Sequence, residues 1–429
     1  MVKLDRFDIE FNNAESAYFA GQEISGKVII ETSEPKKVSE ILLELKGRAR
    51  TYWTKHSGKS RTHWSQAEPY FCEQFNTCYT HKFTGASKDG DEGRILPEGR
   101  HEIPFSYTLP KTLPSSFEGE FGYIRYTCKA ICERPWDFDI VSKRAFTVVG
   151  IEDINEDPKF LEPATASDCN SSIRFCCRKQ GPISAELSLD RSGFTPGEVI
   201  CVNGKIRNDS QRTLRSSCLR LKQHVNYRAK TFAGSEHVKT SSKVVVKKEK
   251  GEIAPLSVFE WNNEKIILPS IPPRLSKCKI IEITYTLELQ ADNAVTAILP
   301  ICVGTIPLLA DLMTRAAKNG RVESNGRIAQ PEDTCGNESD SVVHVTVTDE
   351  CGQPVSEPAV DDLSPEMEAL ISSRKRVRMP SSILSELYPT LPSPYYKESH
   401  FGHVDITEDK ENVQFGEKRF APKYPFYTD

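Results

Sequence analysis

The stretch "LPSPYYKESHFG", residues 391–402, gathers prolines and tyrosines in a polar setting. Proline holds a backbone in the extended polyproline II form, which an aromatic-lined groove accepts with little ordering entropy left to lose. The residues placed to make such contacts are Pro392, Pro394, Tyr395 and Tyr396. Cysteine offers a second chemistry, because four converging thiolates bind zinc. The stretches "FCEQFNTC" and "CNSSIRFCC" both lack C-x-x-C spacing, however, and Cys128 and Cys132 share one face of an alternating run, where cysteine acts as a small hydrophobe. No metal or cofactor site is expected. The chain has no G-x-S-x-G elbow, phosphate loop or H-E-x-x-H pair, so no catalytic residues are assigned and an enzyme is not expected. The histidines, among them His224 in "LRLKQHVNYRAK", read as surface residues.

These residues sit in a chain of 429, long enough for two ordinary domains and a tail, with 38% hydrophobic residues to build cores. Its 56 basic and 60 acidic side chains nearly cancel, which gives no reason to expect a nucleic-acid partner. The opening "MVKLDRFDIEF" carries charges at Lys3, Asp5, Arg6 and Asp8 and is not expected to act as a secretory signal. No stretch reaches the length of a membrane helix. Thirteen irregularly spaced cysteines suit reduced cytosolic thiols, so the sequons "NSS", "NDS" and "NES" are expected to stay unmodified.

From the start to residue 150 the dominant signal has period two. In "EILLELKGRAR" Ile41, Leu43 and Leu45 face one way, with Glu44, Lys46 and Arg48 opposite. "HEIPFSYTLP" repeats the pattern with Ile103, Phe105, Tyr107 and Leu109, and "YIRYTCKAICE" with Ile124, Tyr126, Cys128, Ala130 and Cys132. Turn residues fall between these runs, which favours an antiparallel sandwich at 1–150. Residues 151–180, charged and proline-bearing, read as a connector. A second sandwich follows at 181–311: "ISAELSLDRSGFTPGEVICVNGKIRN" gives two strands with a tight turn at Pro196 and Gly197, and "KIIEITYTLELQA" alternates Ile281, Ile283, Tyr285, Leu287 and Leu289 against polar residues. From 312 to 429 small, polar and acidic residues predominate, the composition of a largely disordered tail.

This ordered set resembles the arrestin fold, and more closely the α-arrestin or arrestin-domain-containing family. "FDIEFNNAESAYFAGQEISGKVII" is similar to the family's opening strands, and "LPEGRHEIPFSYTLPKTLPSSFEGEFGYIRYTCKA" to the close of its first domain. "SGFTPGEVI", "LPSIPPRLSKCKIIEITYTL" and "ILPICVGTIPL" resemble landmarks of its second. The resemblance spans residues 1–310. It implies an all-β chain of two immunoglobulin-like arrestin sandwiches that binds rather than catalyses. It also implies an adaptor linking membrane receptors or transporters to HECT-type ubiquitin ligases, whose WW domains read Pro-Pro-x-Tyr in the tail. The implied location is the cytoplasm, with recruitment to plasma membrane and endosomes, and endocytic or retromer-type proteins are further partners. In that motif Ser393, Pro394, Tyr395 and Tyr396 take the four places, so one proline is missing. Loss of its stacking surface corresponds to roughly 1–2 kcal/mol, about a tenfold weakening. Two alternatives are a retromer-like subunit that needs no WW-domain ligase and a thioredoxin-linked redox or transcription regulator. A family member pairs with thioredoxin through a second-domain cysteine. Cys278 lies in a similar strand, but "KGEIAPLSVFEW" has no cysteine at the matching place.

Other stretches carry open readings. "VVHVTVTDE" alternates like one isolated strand that would need a partner edge, or is simply a valine-rich part of the tail. "RKRVR", residues 374–378, suits anionic lipid or nuclear import, or is a solvated charge run. "KVVVKKEK" could face phosphoinositide or phosphorylated cargo, or form an exposed hairpin. The insertion over 51–94 holds Trp53, Trp64 and Phe71 in a long hairpin-like excursion, whose aromatics either anchor an interface or fold back on the sandwich.

Overall fold

The computed structural model describes residues 4–83, 94–309 and 395–427, apart from Lys59, Trp136, 171–173, 176–177, Gln180 and 409–410. The expected alternation is realised as buried alternate positions. Ile41, Leu43 and Leu45 are enclosed, as are Ile124, Tyr126, Cys128, Ala130 and Cys132 on the neighbouring strand. Regular strands satisfy the backbone donors and acceptors that such burial would otherwise strand away from water. In the amino-terminal sandwich, the strands Arg6–Phe11, Glu23–Thr32 and Gly99–Thr108 form one sheet. Facing it is a sheet ordered Ser60–Asn76, Ile41–Ser57, Gly122–Cys132, Ile140–Val149 and Ala17–Phe19.

The second sandwich repeats the plan. Ala164–Asn170, Ile183–Leu189, Val199–Asn208 and Ser257–Ile267 make its four-stranded sheet. The other sheet carries Val295–Val303, Ile281–Ala291, Ser217–Lys230 and Glu236–Lys250. The two sandwiches share an internal lock. Tyr126 donates its buried hydroxyl to the carbonyl of Pro114 at 2.7 Å, and Tyr285 donates to the carbonyl of Pro272 at 2.6 Å. Each bond ties a core strand to the proline-rich loop that precedes it.

Two expectations are corrected. Residues 151–180, read as a connector, include the Ala164–Asn170 strand, which pairs along its whole length with Ile183–Leu189. An edge strand presents small residues such as Ala164 and Ala166 to the core, so its apolar period is faint in the sequence. Residues 395–427, placed in the flexible tail, form five short strands packed on both sandwiches. Their apolar residues are too sparse to build a core of their own and are buried only by surfaces distant in sequence.

The joint between sandwiches contains a tightly bonded polar centre. Glu152 is buried just past the first sandwich, and its carboxylate accepts from Arg274 Nε at 2.7 Å and from the Ser276 amide and hydroxyl at 2.9 and 2.7 Å. The long Ile41–Ser57/Ser60–Asn76 hairpin meets the second sandwich at Ser65 and Lys230. Trp53 and Trp64 stack on this hairpin 6.4 Å apart and meet His237 edge-on, and Phe71 lies buried against Tyr126. The aromatics of the insertion thus fold back on the sandwich.

The tyrosine locks make a quantitative prediction. Tyr126→Phe removes one buried hydrogen bond and is expected to destabilise by about 1 kcal/mol. Tyr285→Phe also strands the amide of Gln223, which donates to the Tyr285 hydroxyl at 2.8 Å, and is expected to cost about 2–3 kcal/mol. Chemical denaturation of the two variants measures the order, and equal costs would contradict it.

Candidate functional site

The alternation that buries Leu43 and Leu45 turns Glu44, Lys46 and Arg48 outward on the same strand. The Gly122–Cys132 strand likewise turns out Tyr123, Arg125, Thr127 and Lys129, and Ile140–Val149 adds Lys143. Outward residues of a sandwich sheet ordinarily meet water. Here Arg125, Thr127 and Lys143 are buried, because the carboxy-terminal segment lies across them.

Charge complementarity places that segment. Glu408 accepts from Arg48, and from the Tyr123 hydroxyl at 3.0 Å. Lys143 Nζ stands 2.6 Å from Glu411, and Arg144 pairs with Glu417 at 3.0 Å. Arg125 is held differently. Its guanidinium grips Glu118 through two bonds of 2.8 and 2.9 Å and lies 4.0 Å over the Tyr123 ring. Backbone pairing then fixes register: Phe415–Gly416 runs parallel to Ser142–Lys143 on the sheet edge, and the Val141 amide donates to the Gln414 side chain at 2.8 Å. Gly416 has φ +98°, and a Cβ there would fall 2.1 Å from the Lys143 carbonyl.

Beyond the edge strand the segment doubles back. Ile406 and Phe420 close over Ala145, and Val404–Asp405 pairs with Arg419–Phe420. Tyr424 is enclosed and donates its hydroxyl to the Ser116 carbonyl at 3.0 Å. Tyr427 reaches the second sandwich, where its amide donates to the Pro196 carbonyl at 2.9 Å and its hydroxyl to the Thr305 carbonyl at 3.0 Å. The turn at Pro196 and Gly197 thereby gains a partner: Gly197 has φ +96°, and a Cβ would lie 2.2 Å from the Tyr427 carbonyl.

The Pro-Tyr element is drawn into this arrangement. Tyr395–Glu398 pairs antiparallel with Lys423–Phe426, matching Tyr395 to Phe426 and Tyr396 to Pro425. The next residues touch the second sandwich, where Ser270 donates to the Lys397 carbonyl at 2.8 Å and accepts from the His400 amide at 2.7 Å. Successive strand residues point opposite ways. Tyr395 is therefore 69% exposed, whereas Tyr396 is half-buried against the cluster of Phe19, Val149 and Ile306 at the joint between sandwiches. Burial pushes the Tyr396 phenol well above its ordinary range. Pro392 and Pro394 lie outside the described residues, as do "VVHVTVTDE" and "RKRVR".

Other candidates resolve more simply. In "KVVVKKEK", Lys248 and Lys250 both pair with Glu264, at 2.6 and 3.1 Å, and Lys247 pairs with Glu249 at 2.9 Å. The stretch is a hairpin strand with its charges answered. Cys128 and Cys132 are core residues, and burial pushes the Cys132 thiol up to about 12. Burial likewise raises the Cys278 thiol, the opposite of what a reactive thiolate needs. His224 sits between two polar partners, 2.8 Å from Ser242 and 3.0 Å from Thr286.

Sequence reasoning missed the groove of Arg48, Tyr123, Arg125 and Lys143, and its occupants Glu408 and Glu411. The only signal was "FGEKRFAPKYPFY", residues 415–427, whose aromatic content is high for a solvated tail.

The groove also sets a pH dependence. Partial burial opposes ionisation of Glu408, but the hydrogen bond and charge of Arg48 outweigh it and hold the carboxyl down to about 2. A released glutamate titrates near 4.3. The depressed group therefore contributes its full share to docking above about pH 4.5, and that share is lost as pH falls toward 2. Amide exchange across 404–427, corrected for intrinsic rate, is expected to lose protection in this window. Glu408→Gln is expected to show weaker protection at pH 7 and a flatter profile; an unchanged profile would refute the role.

Comparison with known proteins agrees with this architecture. Residues 7–155 match the family model "Arrestin (or S-antigen), N-terminal domain", and residues 179–308 match "Arrestin (or S-antigen), C-terminal domain". The chain is 60% identical to arrestin domain-containing protein 17 of Caenorhabditis elegans over the full length of both. It is 27% identical to mouse arrestin domain-containing protein 4, over 69% of this chain and 70% of that protein. With human thioredoxin-interacting protein it shares 23% over 71% of this chain and 75% of the relative. With both sandwiches matched and a relative alike from end to end, the chain belongs to the arrestin-domain-containing family.

Proposed function

We propose that the protein is a cytoplasmic adaptor, recruited to plasma membrane and endosomes, that brings membrane receptors or transporters to a HECT-type ubiquitin ligase and so to endocytic trafficking. Membership in the arrestin-domain-containing family supports the adaptor role. The ligase assignment rests on one observation: a Pro-Tyr element, residues 391–396, immediately precedes a segment anchored on both sandwiches, so a bound ligase would be carried beside the sandwich pair. In this reading Pro394 and Tyr396 make the principal contacts to a WW domain, supported by Pro392 and Tyr395. The sheet faces and loops of the sandwiches remain for cargo.

Thioredoxin-interacting protein is named for its partner, but a redox role gains no support here from Cys278, whose thiol is raised by burial.

A free peptide of residues 388–404 titrated with WW domains of HECT-type ligases tests the ligase assignment. Measurable binding is expected, lost in the Pro394→Ala, Tyr396→Ala peptide. The Ser393→Pro peptide, which restores the missing stacking surface, is expected to bind about tenfold tighter. If neither the native nor the Ser393→Pro peptide binds, the ligase assignment fails.

A further inference from the structure

We propose that the protein's last strand gates its own Pro-Tyr element: while Lys423–Phe426 is paired with Tyr395–Glu398, Tyr396 is withheld from a WW domain, and docking requires release of the carboxy-terminal segment. The inference rests on the ligase assignment above and names how that site is regulated.

Two features of Tyr396 carry it. A WW domain must seat the tyrosine side chain itself. Here that side chain is half-buried, packed on the cluster that Phe19 and Val149 of the first sandwich form with Ile306 of the second. The backbone that carries Tyr395 and Tyr396 is also occupied, paired in register from Tyr395↔Phe426 to Glu398↔Lys423. A groove that reads an extended peptide cannot engage a strand whose edge and tyrosine are both in use. The masking is selective, because the neighbouring Tyr395 stays exposed.

The masking strand is itself held from both sides. On the carboxy-terminal side Tyr424 is enclosed, with its hydroxyl on the Ser116 carbonyl, and Tyr427 is bonded to Pro196 and Thr305. On the amino-terminal side Glu408 and Glu411 are bound by Arg48, Tyr123 and Lys143. Weakening either set raises the open fraction of the segment, and the apparent WW affinity rises in proportion to that fraction. Two anchors unlike in chemistry, one apolar and one ionic, therefore control the same tyrosine from opposite ends.

The test titrates one WW domain, chosen for binding the free peptide, against the full-length chain and against full-length Glu408→Arg and Tyr424→Ala variants. Glu408→Arg sets a cation against Arg48 and Lys143 without touching the Pro-Tyr element, and Tyr424→Ala empties the site that holds the masking strand. Each variant is expected to bind at least tenfold tighter than the native chain and to approach the peptide, and adding Tyr396→Ala is expected to abolish the gain. A cooperative melting transition confirms that the sandwiches are intact. If Tyr424→Ala fails that check, Glu408→Arg decides, since its side chain lies outside the core. A native chain that binds as tightly as the peptide overturns the gate and leaves the ligase assignment standing, and so does a folded Glu408→Arg chain no better than native. A peptide that binds no WW domain overturns both.

Discussion

A β-sandwich sheet has one face in the core and one facing outward, and in the amino-terminal sandwich the outward face carries Arg48, Arg125, Lys129 and Lys143 close together. Cations this close repel one another, and burying any of them without a partner is costly. Glu118 answers Arg125 from within the sandwich. The remainder are answered by Glu408 and Glu411, which arrive from more than 250 residues further along the chain. The course of the carboxy-terminal segment follows from that electrostatic demand, and so does the half-buried placement of Tyr396, since the strand that returns from the groove is the one that pairs with it.

The joint between the sandwiches depends on the same logic at smaller scale. Glu152 is buried where the chain passes from one sandwich to the next, and three donors from the second sandwich satisfy its carboxylate. A bonded joint of this kind supplies a fixed platform. Tyr396 and Tyr427 both rest on it, one through apolar contact with Phe19 and Ile306, the other through the carbonyls of Pro196 and Thr305. A segment spanning the joint is thus tied to both sandwiches at once.

The fold was legible in the sequence because period-two burial is a local code. Ile41, Leu43 and Leu45, or Ile281, Ile283, Tyr285, Leu287 and Leu289, declare a half-buried strand whatever lies elsewhere. The paired tyrosines at 126 and 285 lie in the similar stretches "IRYT" and "ITYT", a repeat that the structure explains by their shared bond to a proline carbonyl. The Ala164–Asn170 strand was not legible, because an edge strand lined by small residues has hardly any apolar period to read.

The sequence by itself determined the two sandwiches, their order and the Pro-Tyr element, since each is written in residues a few positions apart. Tertiary structure alone decided that Arg48 faces Glu408, that Gly197 lies beneath Tyr427 and that Tyr396 is turned inward while Tyr395 is not. These outcomes depend on pairings across long spans of chain, where no spacing rule connects the partners. Whether an exposed-looking tyrosine is free or packed is settled by whichever surface the folded chain brings against it, and here that surface is assembled from both sandwiches.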